Sequence, residues 1–177
     1  MIESEQLIYQ GRVIRLNIER VRLPNQQVAD LEIIHHPGGA AIVAIDAEQR
    51  VCLLHQFRHA AGGYIWELPA GKIDHKEPPL QTAQRELVEE AGRTAKSWQY
   101  LGPSISSPGV FTEVIHLYLA TDLATVASQP EDHEVFQVEW RPLEVALEMV
   151  YSGELRDGKS MAGLFLAARH LHGRNSA

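Results

Sequence analysis

Short alternations of apolar and polar residues in the first part of the chain predict β-strands. The segment 7–23 shows this alternation and is interrupted near Gly11, so it predicts one or two strands. A turn at Pro24-Asn25 separates it from a further predicted strand over Val28–His36. These segments predict an N-terminal region of antiparallel strands, which we place at residues 1–38.

Two continuously apolar runs follow, and runs of this length are typical of strands that are buried on both faces. Ala40–Ile45 and Val51–Phe57 flank the polar segment 46–50, so we expect them to pair as a buried hairpin. A shorter apolar run, Tyr64–Leu68, is closed by Pro69 and predicts another strand.

The remainder of the chain predicts three helices among further strands. Pro78 and Pro79 suit the first turn of a helix, where a missing N–H costs nothing, and Gly92 suits its left-handed end. The further strands are predicted at Trp98–Gly102, Val114–Ala120 and Val135–Arg141, and the further helices at Pro142–Tyr151 and Lys159–His172. This order predicts an α+β fold in which helices flank a mixed β-sheet, with the main domain at residues 39–177.

Composition narrows the function classes. The 177 residues include 16 Lys and Arg against 23 Asp and Glu, which gives a formal net charge of −7. Proteins that hold a long nucleic acid usually present a basic face, so we do not expect a nucleic-acid partner. A small anionic substrate remains compatible with this charge if a metal ion supplies the positive charge.

The cysteine count and the apolar runs indicate the compartment. Cys52 is the single cysteine, so the chain forms no internal disulfide, and its apolar surroundings predict an inert core residue. The N-terminus lacks the basic and then apolar layout of a secretory signal. The longest apolar stretch, about Gly38–Ile45, is too short to span a membrane. We therefore expect a cytoplasmic protein without a membrane partner.

The first predicted helix carries an acidic face. On a helical wheel Glu86, Glu89 and Glu90 share an arc of about 100°, and Arg85 flanks this arc four residues before Glu89. The apolar residues of the helix lie on the side that we expect to pack on a sheet. Two interpretations are open from the helix alone: an exposed, solvated face with an Arg85–Glu89 ion pair, or a site for a hard cation such as Mg²⁺.

The residues around this helix favour the cation site. Seven glycine, glutamate and arginine residues stand in a defined order and spacing over 22 residues: Gly71, Glu77, Arg85, Glu86, Glu89, Glu90 and Gly92. This order resembles the signature of the Nudix hydrolases, a strand–loop–helix that holds divalent metal against a diphosphate. The family usually has an apolar residue after the last glycine, where this chain has Arg93. We interpret this departure as a packing difference.

The resemblance extends to segments outside the signature. Three of them are similar to the ADP-ribose pyrophosphatase branch of the family: His55–Arg58, Trp66–Gly71 and the loop Ser107–Gly109 with Glu113. The resemblance implies an α/β/α sandwich. It also implies a homodimer that exchanges its N-terminal strands.

The resemblance implies a metal site at the acidic helix. Glu86 and Glu90, one turn apart, are the expected ligands of Mg²⁺, with Mn²⁺ as a possible substitute. Glu89 would hold a second cation or a metal-bound water, and the carbonyl of Ala70 is a further implied ligand. Arg85 would orient the glutamates through charge-assisted hydrogen bonds. For Glu77 we favour a structural role over a place among the metal ligands.

The resemblance also implies substrate contacts. Arg58 is the expected phosphate clamp, because a guanidinium can bind phosphate oxygens through two hydrogen bonds. Glu67 and Glu113 are expected to orient substrate or the exchanged N-terminal strands, and the Pro108-Gly109 turn is expected to contact substrate. The carboxylate that activates water in this branch comes from a later acidic loop. That loop leaves Glu134, Asp132 and Glu131 open as the base.

These residues predict a pyrophosphatase. Cleavage of a phosphoanhydride requires neutralised phosphate oxygens and a positioned water more than a covalent nucleophile. We expect Mg²⁺-dependent hydrolysis of ADP-ribose to AMP and ribose 5-phosphate. GDP-mannose or another nucleoside diphosphate derivative is an alternative substrate. A module that binds ADP-ribose without turnover is the alternative from another functional class.

Overall fold

The computed structural model describes residues 1–74, 76–128 and 135–174, and it has an α+β architecture of three sheets and three helices in this range. The strands are β1 (Ile2–Gln10), β2 (Arg15–Arg22), β3 (Val28–His35), β4 (Gly39–Ala44), β5 (Arg50–Arg58), β6 (Gly63–Glu67), β7 (Ala70–Lys72), β8 (Arg93–Ile105), β9 (Val114–Thr125) and β10 (Phe136–Pro142). The helices are α1 (Pro79–Ala91), α2 (Leu143–Ser152) and α3 (Gly158–Arg174). The predicted fold class is confirmed.

The N-terminal strands form an antiparallel sheet in the order β1-β2-β3. The predicted break near Gly11 is confirmed, since β1 ends at Gln10 and β2 begins at Arg15. The first strand is longer than predicted and begins at Ile2. Every residue of β1 is exposed, so its sequence carries little of the apolar alternation that marks a half-buried strand.

The predicted hairpin of β4 and β5 is wrong. β4 lies between β7 and β9 in the sheet β7-β4-β9-β8, whereas β5 lies between β10 and β6 in another sheet. An isolated bridge joins Ile45, the residue after β4, to Val51 in β5. Both edges of β4 are already hydrogen-bonded to other strands, so β5 cannot extend beside it. The polar turn between them is present, and Asp46 closes it by accepting the amide of Arg50.

β8 is also longer than predicted. It spans Arg93–Ile105 and pairs antiparallel with β9, with a bulge between Tyr100 and Gly102. Most of its side chains are partly or fully exposed, so hydrophobicity reveals only its middle. The departure from the signature at Arg93 is a packing feature, because the guanidinium lies over the Trp140 ring at 5.2 Å from its centroid.

β4 is the centre of the layered core, and its six residues are all buried. Ala40, Ile42 and Ala44 face α1 together with Cys52, whereas Val43 faces α2 and α3. Helices therefore cover both faces of this sheet, as the α/β/α prediction requires. Among the described residues, no helix has the length and apolar character needed to cross a membrane.

Candidate active site

The helix α1 has the boundaries that its sequence predicts. Pro78 is its N-cap, Pro79 is its first residue, and Gly92 ends it with a φ of +59°. Ala83 and Leu87 are fully buried against β4, which fixes the rotation of the helix. This rotation brings the acidic face over β7 at the edge of the sheet.

Two carboxylates of the acidic face are buried, whereas the interpretation of this face as exposed and solvated requires them to be accessible. Glu86 retains 7% of its accessible surface and Glu90 only 1%. The solvated-face alternative is therefore wrong for these two carboxylates, although the Arg85–Glu89 ion pair that accompanied it is present at 2.9 Å. Buried carboxylates need partners, and the structure supplies them from Arg85 and from the main chain.

Arg85 joins three carboxylates. Its Nη1 donates to Glu86 Oε1 at 2.7 Å and to Glu89 Oε2 at 2.9 Å, and its Nη2 donates to Glu77 Oε1 at 3.0 Å. Burial acts to lower the pKa of Arg85, but these hydrogen bonds and charges outweigh it and raise that pKa. The guanidinium therefore remains charged and orients the glutamates.

Glu77 lies where α1 follows the loop after β7. Its Oε1 also accepts a hydrogen bond from Thr82 Oγ1 at 2.9 Å. Burial acts to raise the pKa of Glu77, yet the hydrogen bonds from Arg85 and Thr82 lower it overall. These contacts support the structural role that we favour for this residue.

β7 approaches the acidic face through main-chain atoms. The amide of Ala70 donates to Glu90 Oε2 at 2.8 Å, so the main chain of this residue lies against the carboxylate. The next residue must be small, because a Cβ on Gly71 would overlap the carboxylate of Glu86. The signature glycine thus leaves room for the carboxylate.

The donor set suits a hard divalent cation. Glu86, Glu89, Glu90 and the Ala70 main chain offer oxygen atoms, which Mg²⁺ prefers. Three carboxylates, Glu77, Glu86 and Glu89, share one guanidinium, so the cluster carries excess negative charge that a cation would neutralise. In the described part of the chain, no three His, Cys, Asp or Glu side chains are already arranged to hold an ion. The metal-ligand roles remain predictions based on donor chemistry.

Arg58 is held by a second cluster of charges. Its Nε and Nη2 donate to Glu67 Oε1 at 2.8 Å and Glu67 Oε2 at 2.9 Å, an ion pair with two hydrogen bonds. Lys159 Nζ also donates to Glu67 Oε2, at 2.7 Å. Burial acts to raise the pKa of Glu67, but Arg58 and Lys159 lower it overall. Glu67 is therefore ionised and anchors both cations.

Sequence reasoning did not single out the α3 part of this cluster. Asp157 Oδ2 accepts from Lys159 Nζ at 2.9 Å and from the Ser160 amide at 3.1 Å. Ser160 Oγ in turn accepts the amide of Leu68 at 2.8 Å. An Asp three residues before a Ser at the start of an apolar pattern marks a helix N-cap, but it does not reveal a partner 92 positions away.

The loop between β8 and β9 lies against β3. Glu113 accepts from Ser106 Oγ, and its Oε1 lies 3.2 Å from His36 Nδ1. Burial and the charge of Lys72 lower the pKa of His36, against the opposing effect of Glu113. Pro108 and Gly109 are exposed, and the loop is hydrogen-bonded to Ile34 of β3 and to the amide of His36. The substrate roles of Glu113, Pro108 and Gly109 therefore stay predictions.

The proposed water-activating residues lie outside the described residues. Glu131, Asp132 and Glu134 belong to the segment between β9 and β10, which the structure does not describe. The base assignment stays open among them.

Comparison with known proteins identifies the family. A family model described as a NUDIX domain matches residues 35–163, most of the chain. This chain belongs to the NUDIX family. The match includes the strand–loop–helix from β7 through α1 and the residues of both charge clusters.

Two relatives show which members of the family this NUDIX protein resembles. It is 38% identical to an ADP-ribose pyrophosphatase from Bacillus subtilis (strain 168), over 89% of this chain and 86% of the relative. It is 36% identical to an ADP-ribose pyrophosphatase from Mycobacterium tuberculosis (strain ATCC 25618 / H37Rv), over 91% and 79%. The chain is thus a NUDIX hydrolase that resembles ADP-ribose pyrophosphatases, from a family that typically depends on divalent metal.

A solved structure supports the NUDIX fold. The crystal structure of an ADP compounds hydrolase matches with a TM-score of 0.85, covering 100% of this chain and 96% of that one. The sequence identity of 18% is low, so this match shows a shared fold and does not identify the substrate.

Proposed function

We propose that this protein hydrolyses the diphosphate bond of a nucleoside diphosphate sugar, splitting ADP-ribose into AMP and ribose 5-phosphate. The observation that carries the proposal is the arrangement of three carboxylates on α1: Glu86 and Glu89 share Arg85, and Glu90 accepts the main-chain amide of Ala70. The similarity to ADP-ribose pyrophosphatases over about nine tenths of the chain supports the choice of substrate.

In this proposal Glu86, Glu89, Glu90 and the Ala70 carbonyl hold Mg²⁺, for which Mn²⁺ can substitute. The bound cation supplies positive charge that stabilises the phosphate oxygens. Arg85 fixes the direction of Glu86 and Glu89 through its two hydrogen bonds. The chain thereby prepares an oxygen-lined site before the substrate arrives.

Arg58 binds the substrate phosphates in this proposal. The two donors on one edge of its guanidinium contact Glu67, so the other edge faces away from that carboxylate, and the side chain is 41% exposed to an incoming ligand. Glu134, Asp132 or Glu131 removes the proton of the attacking water. Measuring kcat for Asp132→Asn, Glu134→Gln and Glu131→Gln identifies the base. The variant that lacks the base should have the lowest kcat.

The proposal includes a homodimer in the cytoplasm. Residues 1–38 form a three-stranded sheet whose outer strand β1 is exposed along its length and carries apolar residues, among them Leu7 and Tyr9. An exposed outer strand with apolar side chains is suited to contact with a second subunit. Light scattering coupled to size exclusion measures the mass directly.

A substrate screen tests the proposal. The protein is incubated with Mg²⁺ and with ADP-ribose, GDP-mannose, further nucleoside diphosphate sugars and a dinucleotide, and released mononucleotide is measured. We expect AMP from ADP-ribose at the highest kcat/KM and no release with excess EDTA. A higher kcat/KM for GDP-mannose would reassign the substrate. Tight binding of ADP-ribose without release of AMP would favour the non-catalytic binding module.

A further inference from the structure

Glu67 is a buried carboxylate that two cations share. It ends β6 and retains 2% of its accessible surface, and its two partners come from two other elements: Arg58 from β5 and Lys159 from the first turn of α3. Arg58 contacts both carboxylate oxygens, whereas Lys159 contacts Oε2 alone at 2.7 Å. Lys159 therefore contacts Glu67, the carboxylate that holds Arg58, and does not contact Arg58 directly.

The charges of this cluster balance only when Lys159 is present. Arg58 and Lys159 carry two positive charges, and Glu67 and Asp157 carry two negative charges. Without Lys159 the remaining three groups sum to −1, and without Asp157 they sum to +1. A diphosphate bound at Arg58 would experience this difference, since charges a few ångströms apart in a partly buried site are weakly screened.

The start of α3 fixes Lys159 in place. Asp157 caps the helix by accepting the Ser160 amide, and Ser160 Oγ accepts the amide of Leu68. The same oxygen, Asp157 Oδ2, accepts the Ser160 amide and Lys159 Nζ, so the helix cap fixes the carboxylate that Lys159 contacts. The cluster links α3 rigidly to the strand that leads into Ala70.

We propose that Lys159 is a positioning residue for substrate binding: it fixes Glu67 and offsets its negative charge, so that Arg58 keeps the orientation that binds the diphosphate and the cluster around it stays electrically neutral. The inference rests on the proposed phosphate-binding role of Arg58. It assigns opposite electrostatic effects to Lys159 and Asp157, although both stabilise the same cluster. The lowered pKa of Glu67, to which Lys159 contributes, is consistent with this effect.

Steady-state kinetics of matched variants test the inference. We expect Lys159→Met to raise KM for ADP-ribose about five- to tenfold with kcat within about twofold. Asp157→Asn, which retains the cap and removes one negative charge, should lower KM, although both variants lower Tm. Lys159→Arg should restore KM because it restores the charge. Lys159→Gln replaces Lys159→Met if the latter does not fold. An equal rise in KM for Lys159→Met and Asp157→Asn would overturn the inference.

A double-mutant cycle tests whether Lys159 affects KM through Arg58 or independently of it. Arg58→Ala alone should raise KM, and adding Lys159→Met to it should raise KM no further. Lys96→Met, which removes an exposed lysine from β8, is the matched control and should leave KM at the wild-type value. A full Lys159→Met effect in the Arg58→Ala background would show that Lys159 does not act through Arg58.

A readout that needs no substrate distinguishes this inference from the proposed function. The Arg58 Nε–H donates to a buried carboxylate, so its NMR signal should exchange slowly with solvent; Arg58→Ala identifies the signal by its loss. We expect Lys159→Met to speed this exchange at least about tenfold, and Lys96→Met to leave it unchanged. Unchanged exchange in Lys159→Met overturns the inference. Absence of ADP-ribose turnover in the wild type overturns the proposed function instead.

Discussion

The three carboxylates of α1 are stabilised in different ways, and this difference sets their expected sensitivity to mutation. Glu86 and Glu89 share the guanidinium of Arg85, whereas Glu90 accepts the amide of Ala70 on β7. Glu90 is also the most buried of the three, at 1% exposure. Its contact to Ala70 therefore joins the helix to the strand that carries the proposed carbonyl ligand.

We expect Glu90→Gln to lower kcat for ADP-ribose by at least about a hundredfold while Tm changes little. The amide preserves the shape of the side chain and its contact with the Ala70 amide, but it removes the ligand charge. Turnover assays at saturating Mg²⁺ and thermal unfolding measure both effects. Glu148→Gln on the exposed side of α2 is the matched control. Turnover near the wild-type value would exclude the proposed metal role.

Cys52 is expected to resist alkylation in the folded protein. Burial raises the pKa of this thiol to about 12, with a smaller contribution from Glu90, so about one thiol in ten thousand is ionised at pH 8. The residue is fully buried as well. Mass spectrometry after iodoacetamide treatment should show no adduct in native buffer. It should show complete modification in about 6 M guanidinium, which unfolds most domains. Rapid native modification would contradict this burial.

At the residue scale, sequence reasoning identified local partners better than distant ones. The Arg85–Glu89 pair follows from a spacing of four on a helix, and the structure confirms it. The burial of Glu86 and Glu90 depends on how α1 is rotated over β7, which helical periodicity alone does not specify. The partnership of Glu67 with Lys159 joins positions 92 apart and left no signal in either segment.

At the scale of elements, the fit between β7 and α1 depends on Gly71. A side chain there would overlap the carboxylate of Glu86, so the strand and the helix could not keep their present separation. We expect Gly71→Ala to lower kcat/KM about tenfold or more and to weaken Mg²⁺ binding, because Glu86 must move. Isothermal titration with Mg²⁺ measures the binding.

The matched control for this substitution is Gly173→Ala. A Cβ at Gly173, near the end of α3, meets no atom within 4 Å. This variant should keep the wild-type kcat/KM and Mg²⁺ affinity. If Gly71→Ala behaves like Gly173→Ala, close approach at Gly71 is not a requirement of the site.

The elements themselves were largely predictable, whereas their pairing was not. The boundaries of α1 follow from Pro79 and Gly92, whose backbone preferences act locally. The partners of β4 depend on β9, which lies far along the chain, and apolar runs give no information on which strand lies beside which. A short polar turn between two apolar strands therefore suggested a hairpin that the sheet order excludes.

At the scale of the whole molecule, the Glu67 cluster predicts a pH-dependent stability. The pKa of Glu67 in the folded protein lies below its ordinary value of 4.5. Its stabilisation is therefore complete above pH 4.5 and is lost as the pH falls through the lower folded value. We expect Glu67→Gln to lower the free energy of unfolding by about 1–3 kcal/mol at neutral pH, since Arg58 is 41% exposed and its charge is partly screened.

Thermal unfolding between pH 7 and pH 3 tests this dependence. The Tm difference between the wild type and Glu67→Gln should be largest near neutral pH and should shrink below pH 4.5. Glu148→Gln, which changes an exposed carboxylate on α2, should show no such convergence. A difference that stays constant over this range would mean that Glu67 is not the group whose protonation weakens the fold.

The parallel pairing of β4 with β9 has a consequence for synthesis of the chain. Gly39 pairs with Ile115 and Ala44 with Ala120, so a nascent polypeptide that has emerged only through α1 lacks the neighbour for one edge of its most apolar strand. At translation speeds of about 5–20 residues per second this edge stays open for several seconds. An open apolar edge is a template for pairing with other nascent chains. Chaperone binding during the interval before β9 leaves the ribosome would protect this edge.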